Sequence, residues 1–116
     1  MYVNDVLDDL LTEDQIIIRN HIGEDEVLAQ MAEEAAELAQ ACLKLRRALM
    51  NVNPTPVSEQ EAVAKLAEEF SDVVLCKELL GLHKPEPDQM RRWMTFKANR
   101  WAERLREGAL NRSEKK

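Results

Sequence analysis

Three glycines and four prolines are few for 116 residues, and aromatic side chains make up only 4% of the chain. An all-β fold draws on turn residues and on aromatic side chains, so this scarcity argues against one. No run of about 18 uncharged apolar residues is present to span a bilayer, and the first residues lack the basic and apolar regions of a signal peptide. A cytoplasmic location without membrane partners is the expectation. Cysteine and histidine are scarce as well, at two each. Cys42 and Cys76 are too far apart for a CxxC motif and have no clustered histidines. Both sit on the apolar side of an expected helix, so buried reduced thiols are expected in place of a zinc site or a disulfide.

What is present is helix-forming. An apolar fraction of 45% and a charged fraction of 33% suit a highly helical, all-α single domain over residues 1–116, small enough that self-association would help it. The net charge of -6 is unevenly spread: up to Ala41 the only Lys or Arg is Arg19, whereas Lys and Arg dominate from Lys84 onward. A long nucleic acid would find no continuous basic stripe, and a small phosphorylated ligand is favoured.

Residues Met1 to Leu11 are amphipathic and acidic, a short helix or an arm. Thr12 and Gln15 have capping-box spacing ahead of Ile16, Ile17 and Ile18, so a first helix should run to about His21. Beyond Gly23, acidic residues suit a new helix N-terminus. From Glu26 to Met50, Leu28, Met31, Ala35, Leu38, Cys42, Leu45 and Leu49 recur at steps of three and four and predict one buried stripe, with Glu34, Glu37 and Ala41 at its edge. Two prolines make Asn51 to Val57 a loop. Ser58 and Glu61 form a second capping box for a helix carrying Val63, Leu66, Phe70, Val73 and Val74 to a stop at Gly81. After a loop from Leu82 to Pro87, Asp88 should cap a fourth helix through Trp93, Lys97 and Trp101 to Gly108, with a frayed end from about Ala109.

Two acidic pairs, Glu34 with Glu37 and Glu69 with Asp72, sit mid-helix. Residues three apart share a helix face, and an antiparallel hairpin of the second and third helices would bring both pairs to similar heights. Four carboxylates that close repel unless they take up protons or share a cation. Hard oxygen ligands suit magnesium, with manganese as an alternative ion. A di-iron bundle would want a Glu-x-x-His pair, but Ile18 and Leu80 stand three before His21 and His83. The bland alternative is a set of ordinary solvated acids.

These residues resemble the all-α nucleoside triphosphate pyrophosphohydrolases, in particular their short MazG-like forms. Glu33, Glu34 and Glu37 match an EExxE motif, Glu69 and Asp72 match its ExxD, and Lys97 with Arg100 looks like a KxxR segment. The resemblance implies a four-helix bundle-like protomer in a homodimer or homotetramer. It also implies magnesium-dependent hydrolysis of a nucleoside triphosphate to its monophosphate and pyrophosphate. By matching positions, Glu34, Glu37, Glu69 and Asp72 become metal ligands, with Glu37 or Glu34 the catalytic carboxylate. Lys44, Lys97 and Arg100 are the phosphate candidates. Ile18, Gln30 and Trp101 are candidates for the base pocket. The alternatives are an inactive helical interaction module and a phosphoribosyl-ATP pyrophosphohydrolase.

Overall fold

The computed structural model describes residues 12–51 and 57–114, all-helical with no strand among them. The expectations for Met1 to Leu11 and for most of the proline loop lie outside the described residues. Four helices follow in order: α1 (Glu13–His21), α2 (Glu24–Met50), α3 (Glu59–Leu79) and α4 (Pro87–Glu114). No described helix is long and apolar enough to cross a membrane. The chain divides into two compact units, residues 1–84 and residues 85–116.

Local chemistry sets the boundaries in the first unit. Thr12 Oγ1 accepts the Gln15 N–H at 3.2 Å while the Gln15 side chain accepts the Thr12 N–H at 3.0 Å, which completes the capping box of α1. Ser58 accepts from the Glu61 N–H at 3.1 Å and starts α3, which is the serine half of the capping box expected there. At the end of α2, Asn51 takes the left-handed conformation (φ 52°) and donates its N–H to the Arg47 carbonyl, a common way to close a helix.

α2 and α3 form an antiparallel hairpin. Val27 packs with Cys76, Leu79 and Leu80 at one end, Glu34 and Glu37 meet Asp72 and Glu69 at mid-length, and Ala41 and Lys44 lie by Ala62 and Lys65 towards the connection. The buried or half-buried seam of α2 is Val27, Met31, Glu34, Leu38, Ala41, Leu45 and Ala48. This corrects the expected stripe. Met31, Leu38 and Leu45 are shared, but Leu28, Ala35, Cys42 and Leu49 each give way to the residue before them, leaving Leu28 48% and Leu49 59% exposed. Cys42 is accordingly an exposed free thiol, whereas Cys76 is buried and free as expected. Both sets obey the same three-and-four spacing, so the choice falls to the partner helix, whose own seam is Ala62, Leu66, Glu69, Val73, Cys76 and Leu80. Alanines at positions 41 and 62, each 3% exposed, leave room for the backbones to approach.

The shifted seam gives the hairpin two unlike sides. At 100° per residue, positions just before a seam residue on two antiparallel helices share one side, and positions just after share the other. The preceding positions include Gln30, Glu37, Lys44, Lys65 and Asp72. The following positions include Leu28, Ala35, Cys42, Leu49, Val63, Phe70 and Val74, whose larger side chains are about half exposed, with Arg46 and Lys77 as the charged residues among them.

A polar clamp ties the α3 end to the start of α2. The Glu24 carboxylate accepts the Gly81 N–H and the His83 N–H and lies 2.7 Å from His83 Nδ1. The hydrogen bond from His83 is the main cause holding the Glu24 carboxyl below its usual range. Arg19 of α1 donates to the Leu80 carbonyl at 2.8 Å. Gly81 stands at the expected stop, and its φ is not positive. A Cβ there would sit 3.1 Å from the Glu24 carboxylate and 3.2 Å from the Arg19 guanidinium, so the glycine leaves space for the clamp.

In the second unit, Glu86 caps α4 in place of the expected Asp88. Its carboxylate accepts the Asp88 and Gln89 N–H groups at 2.9 and 2.8 Å, and Pro87 takes the first helical position, where its missing N–H costs nothing. The helix runs through Gly108 to Glu114.

Candidate metal centre

Glu34 and Glu69 occupy seam positions, while Glu37 and Asp72 stand one position before the seam, on the polar side. This placement gathers the two pairs. Each residue offers one carboxylate oxygen, and the four oxygens lie within 4.8 Å of one another. Glu69 is 3% exposed, Glu34 and Asp72 are half-buried, and Glu37 is open to solvent. Lys65 is the cation at hand, with Nζ 3.0 Å from Glu69 Oε1 and 3.3 Å from Glu68 Oε2. Gln30 Nε2 donates to Glu34 Oε1 at 2.8 Å.

Protonation follows this unequal company. The Glu34 and Glu69 carboxylates push the Glu37 carboxyl above its usual range. Burial, followed by the charges of Glu34 and Glu69, raises Asp72. Glu69 goes the other way: the hydrogen bond from Lys65 holds its carboxyl down against the cost of burial.

One lysine does not satisfy four carboxylates. Glu34 Oε2 and Glu69 Oε2 are buried without a hydrogen-bond partner, a costly state for carboxylate oxygens. A hard divalent cation ligated by these oxygens would remove that cost, and a donor set made only of carboxylates is the type magnesium or manganese takes. The residues therefore fit such an ion.

Comparison with protein-family models, curated proteins and solved structures finds no match.

Two cavities flank the carboxylates on the polar side of the hairpin. The larger, about 540 Å³, lies towards α1, with Ile18, Val27, Gln30, Leu75, Cys76 and Leu79 in its walls; Glu34 is shared between its rim and the carboxylate cluster. Ile18 and Gln30, the base-pocket candidates of the first unit, thus line one space. The smaller, about 310 Å³, lies towards the α2–α3 connection and is lined by Lys44 and Lys65 among others. Lys97, Arg100 and Trp101 lie on α4 in the second unit, all exposed, with the Arg100 guanidinium 5.6 Å from the Phe96 ring centroid.

Sequence reasoning missed Lys65. Its spacing of four from Glu69 is a helical ion-pair signal that could have found it. Nothing in the periodicity singled out Leu75 and Leu79 as cavity walls, because their role depends on where α1 rests.

Proposed function

We propose that this chain is a divalent-metal-dependent nucleoside triphosphate pyrophosphohydrolase, cutting between the α- and β-phosphates to release a monophosphate and pyrophosphate. The observation that carries the reading is the set of four carboxylate oxygens within 4.8 Å, two of its members having a buried oxygen with no protein partner. The resemblance to MazG-like enzymes, carried by the same four residues, points to the same chemistry.

Bound magnesium would supply Lewis-acid polarisation of the α-phosphate and charge neutralisation of the triphosphate. Glu34, Glu37, Glu69 and Asp72 would hold it. Glu37, the solvent-open member, takes the proton of the attacking water. The water oxygen bonds to the α-phosphorus, the α–β bridging bond breaks, and its electron pair leaves on pyrophosphate. Lys44 and Lys65, on the same side of the hairpin, suit the leaving phosphates as point charges. Lys97 and Arg100 are further phosphate candidates on the resemblance alone.

The row of exposed apolar side chains from Leu28 to Val74 supports self-association as a dimer or a dimer of dimers, since a contiguous apolar face is unusual on a monomer. A four-helix bundle completed within or between protomers would bury it.

The test is incubation with magnesium and a panel of standard and modified nucleoside triphosphates, following monophosphate and pyrophosphate. Turnover that requires the metal and is lost in Glu37→Gln and Asp72→Asn is expected. Turnover unchanged in both variants would overturn the site assignment, and absence of turnover for every member would overturn the reading.

A further inference from the structure

Helix α1 is fastened far less firmly than the hairpin it lies against. None of its nine residues is buried. It is held to the hairpin by Ile18, packed against the cluster of Val27, Cys76, Leu79 and Leu80, and by Arg19, which donates to the Leu80 carbonyl at 2.8 Å. A helix of this length is not stable alone in water, so its order comes from such ties. The hairpin end does not depend on them, because Glu24, the first residue of α2, bonds Gly81 and His83 directly. α1 can therefore leave while the Glu24 clamp stays shut, at a cost below that of opening the hairpin.

The joint between α1 and α2 is Ile22 and Gly23, both extended, and a few such residues suffice to absorb a hinge rotation. Among the described residues the Gly23 N–H has no acceptor. Ile18 and Ile22 form the α1 side of the 540 Å³ cavity, whose other walls belong to α2 and α3. Movement of α1 thus removes one wall and uncovers Cys76, which is 6% exposed. We propose that α1 is a lid over this cavity, hinged at Ile22 and Gly23 and latched by Arg19. Arg19 does not line the cavity; it is a positioning residue that seats Ile18 in the wall. The lid stands on the contacts of α1 and is independent of the reaction proposed above.

Two readouts test it without any ligand: amide hydrogen exchange followed by mass spectrometry, and alkylation of Cys76 in a Cys42→Ser background. In the wild type the hydrogen-bonded amides of α1 should exchange faster than those along the α2 and α3 seam. Arg19→Ala removes a charge-assisted hydrogen bond and should speed both α1 exchange and Cys76 alkylation about tenfold. Gly23→Pro should do the opposite. Gly23 has φ -72° and Ile22 has ψ 127°, angles that proline and the residue before it adopt. An added Cβ would meet only the Asp25 carboxylate, the movable end of an exposed side chain. By limiting the freedom the joint gains on opening, proline should slow both readouts about two- to fivefold. Exchange along the seam should stay at the wild-type rate in both variants, which a general change in stability would not allow. α1 exchange no faster than that of the seam, a change shared equally by all three helices, or Cys76 alkylation that ignores both variants would overturn the lid.

Discussion

Replacing Glu37 by glutamine should change stability in opposite directions with and without metal. Glu37 faces Glu34 and Glu69 within the carboxylate cluster, and their charges push its carboxyl up. In chelator, Glu37→Gln removes one repelling charge and offers an amide N–H to the remaining oxygens, so the variant should melt above the wild type. With magnesium the order should reverse. A ligand at a hundred times its Kd stabilises the folded state by about 2.7 kcal/mol, which for a domain near 100 residues is roughly 10–20 °C in Tm. Loss of an outer-shell partner alone weakens metal binding about 10- to 100-fold, and loss of a direct ligand should reach at least the upper figure. A hundredfold weaker site at the same magnesium concentration retains about 0.4 kcal/mol of stabilisation, roughly 2–3 °C. Helix melting followed by circular dichroism, in chelator and across a magnesium titration, reads both signs at once. A wild type whose Tm ignores magnesium, or a variant that keeps the full shift, would refute the shared metal site.

Two further outcomes follow from the fold and its charges. Leu80, 2% exposed, packs with Val27, Cys76 and Leu79; Leu80→Ala should cost about 2–3 kcal/mol in urea unfolding, the low end for leucine truncation because the core is small. A loss under about 1 kcal/mol would mean that this cluster does not hold the hairpin end together. In chelator, stability should pass through a maximum on the acid side of neutrality. The raised carboxyls of Glu37 and Asp72 destabilise the fold while charged, and that penalty lifts as pH falls through their folded values. The lowered carboxyls of Glu69 and Glu24 contribute stability above their unfolded values, near pH 4, and lose it below. A Tm that falls steadily from neutral pH downward would contradict the raised pair.

The starts of α1 and α3 were legible because their caps are local. Thr12 with Gln15 and Ser58 with Glu61 bond within four residues, as their spacing indicates. The stop at Gly81 was legible too, though for another reason: the position makes room for Glu24 and Arg19, which lie far off in sequence. Capping of α4 was misplaced by two residues because Glu86, Pro87 and Asp88 all suit a helix start and only backbone geometry ranks them. The buried stripe of α2 was misplaced by one residue, because three-and-four spacing fits both Leu28 with Leu49 and Val27 with Ala48. A hydrophobicity argument prefers the leucines. The partner helix prefers the row that sets Val27 against Cys76, Leu79 and Leu80 and Ala41 beside Ala62, and Glu34 lies on that row, which is why the expected edge residue is in the seam. The meeting of the four carboxylates was legible from two spacings of three and a hairpin; Lys65, the Gln30 contact and the flanking cavities were not, since they depend on which side of the hairpin each position faces.

Attack by water at the α-phosphorus is tested most directly by isotope placement. With a nucleoside triphosphate that the protein turns over, in ¹⁸O-enriched water with magnesium, mass spectrometry of the two products should find one ¹⁸O in the monophosphate and none in the pyrophosphate. Label in the pyrophosphate, or products of inorganic phosphate and a diphosphate, would contradict it.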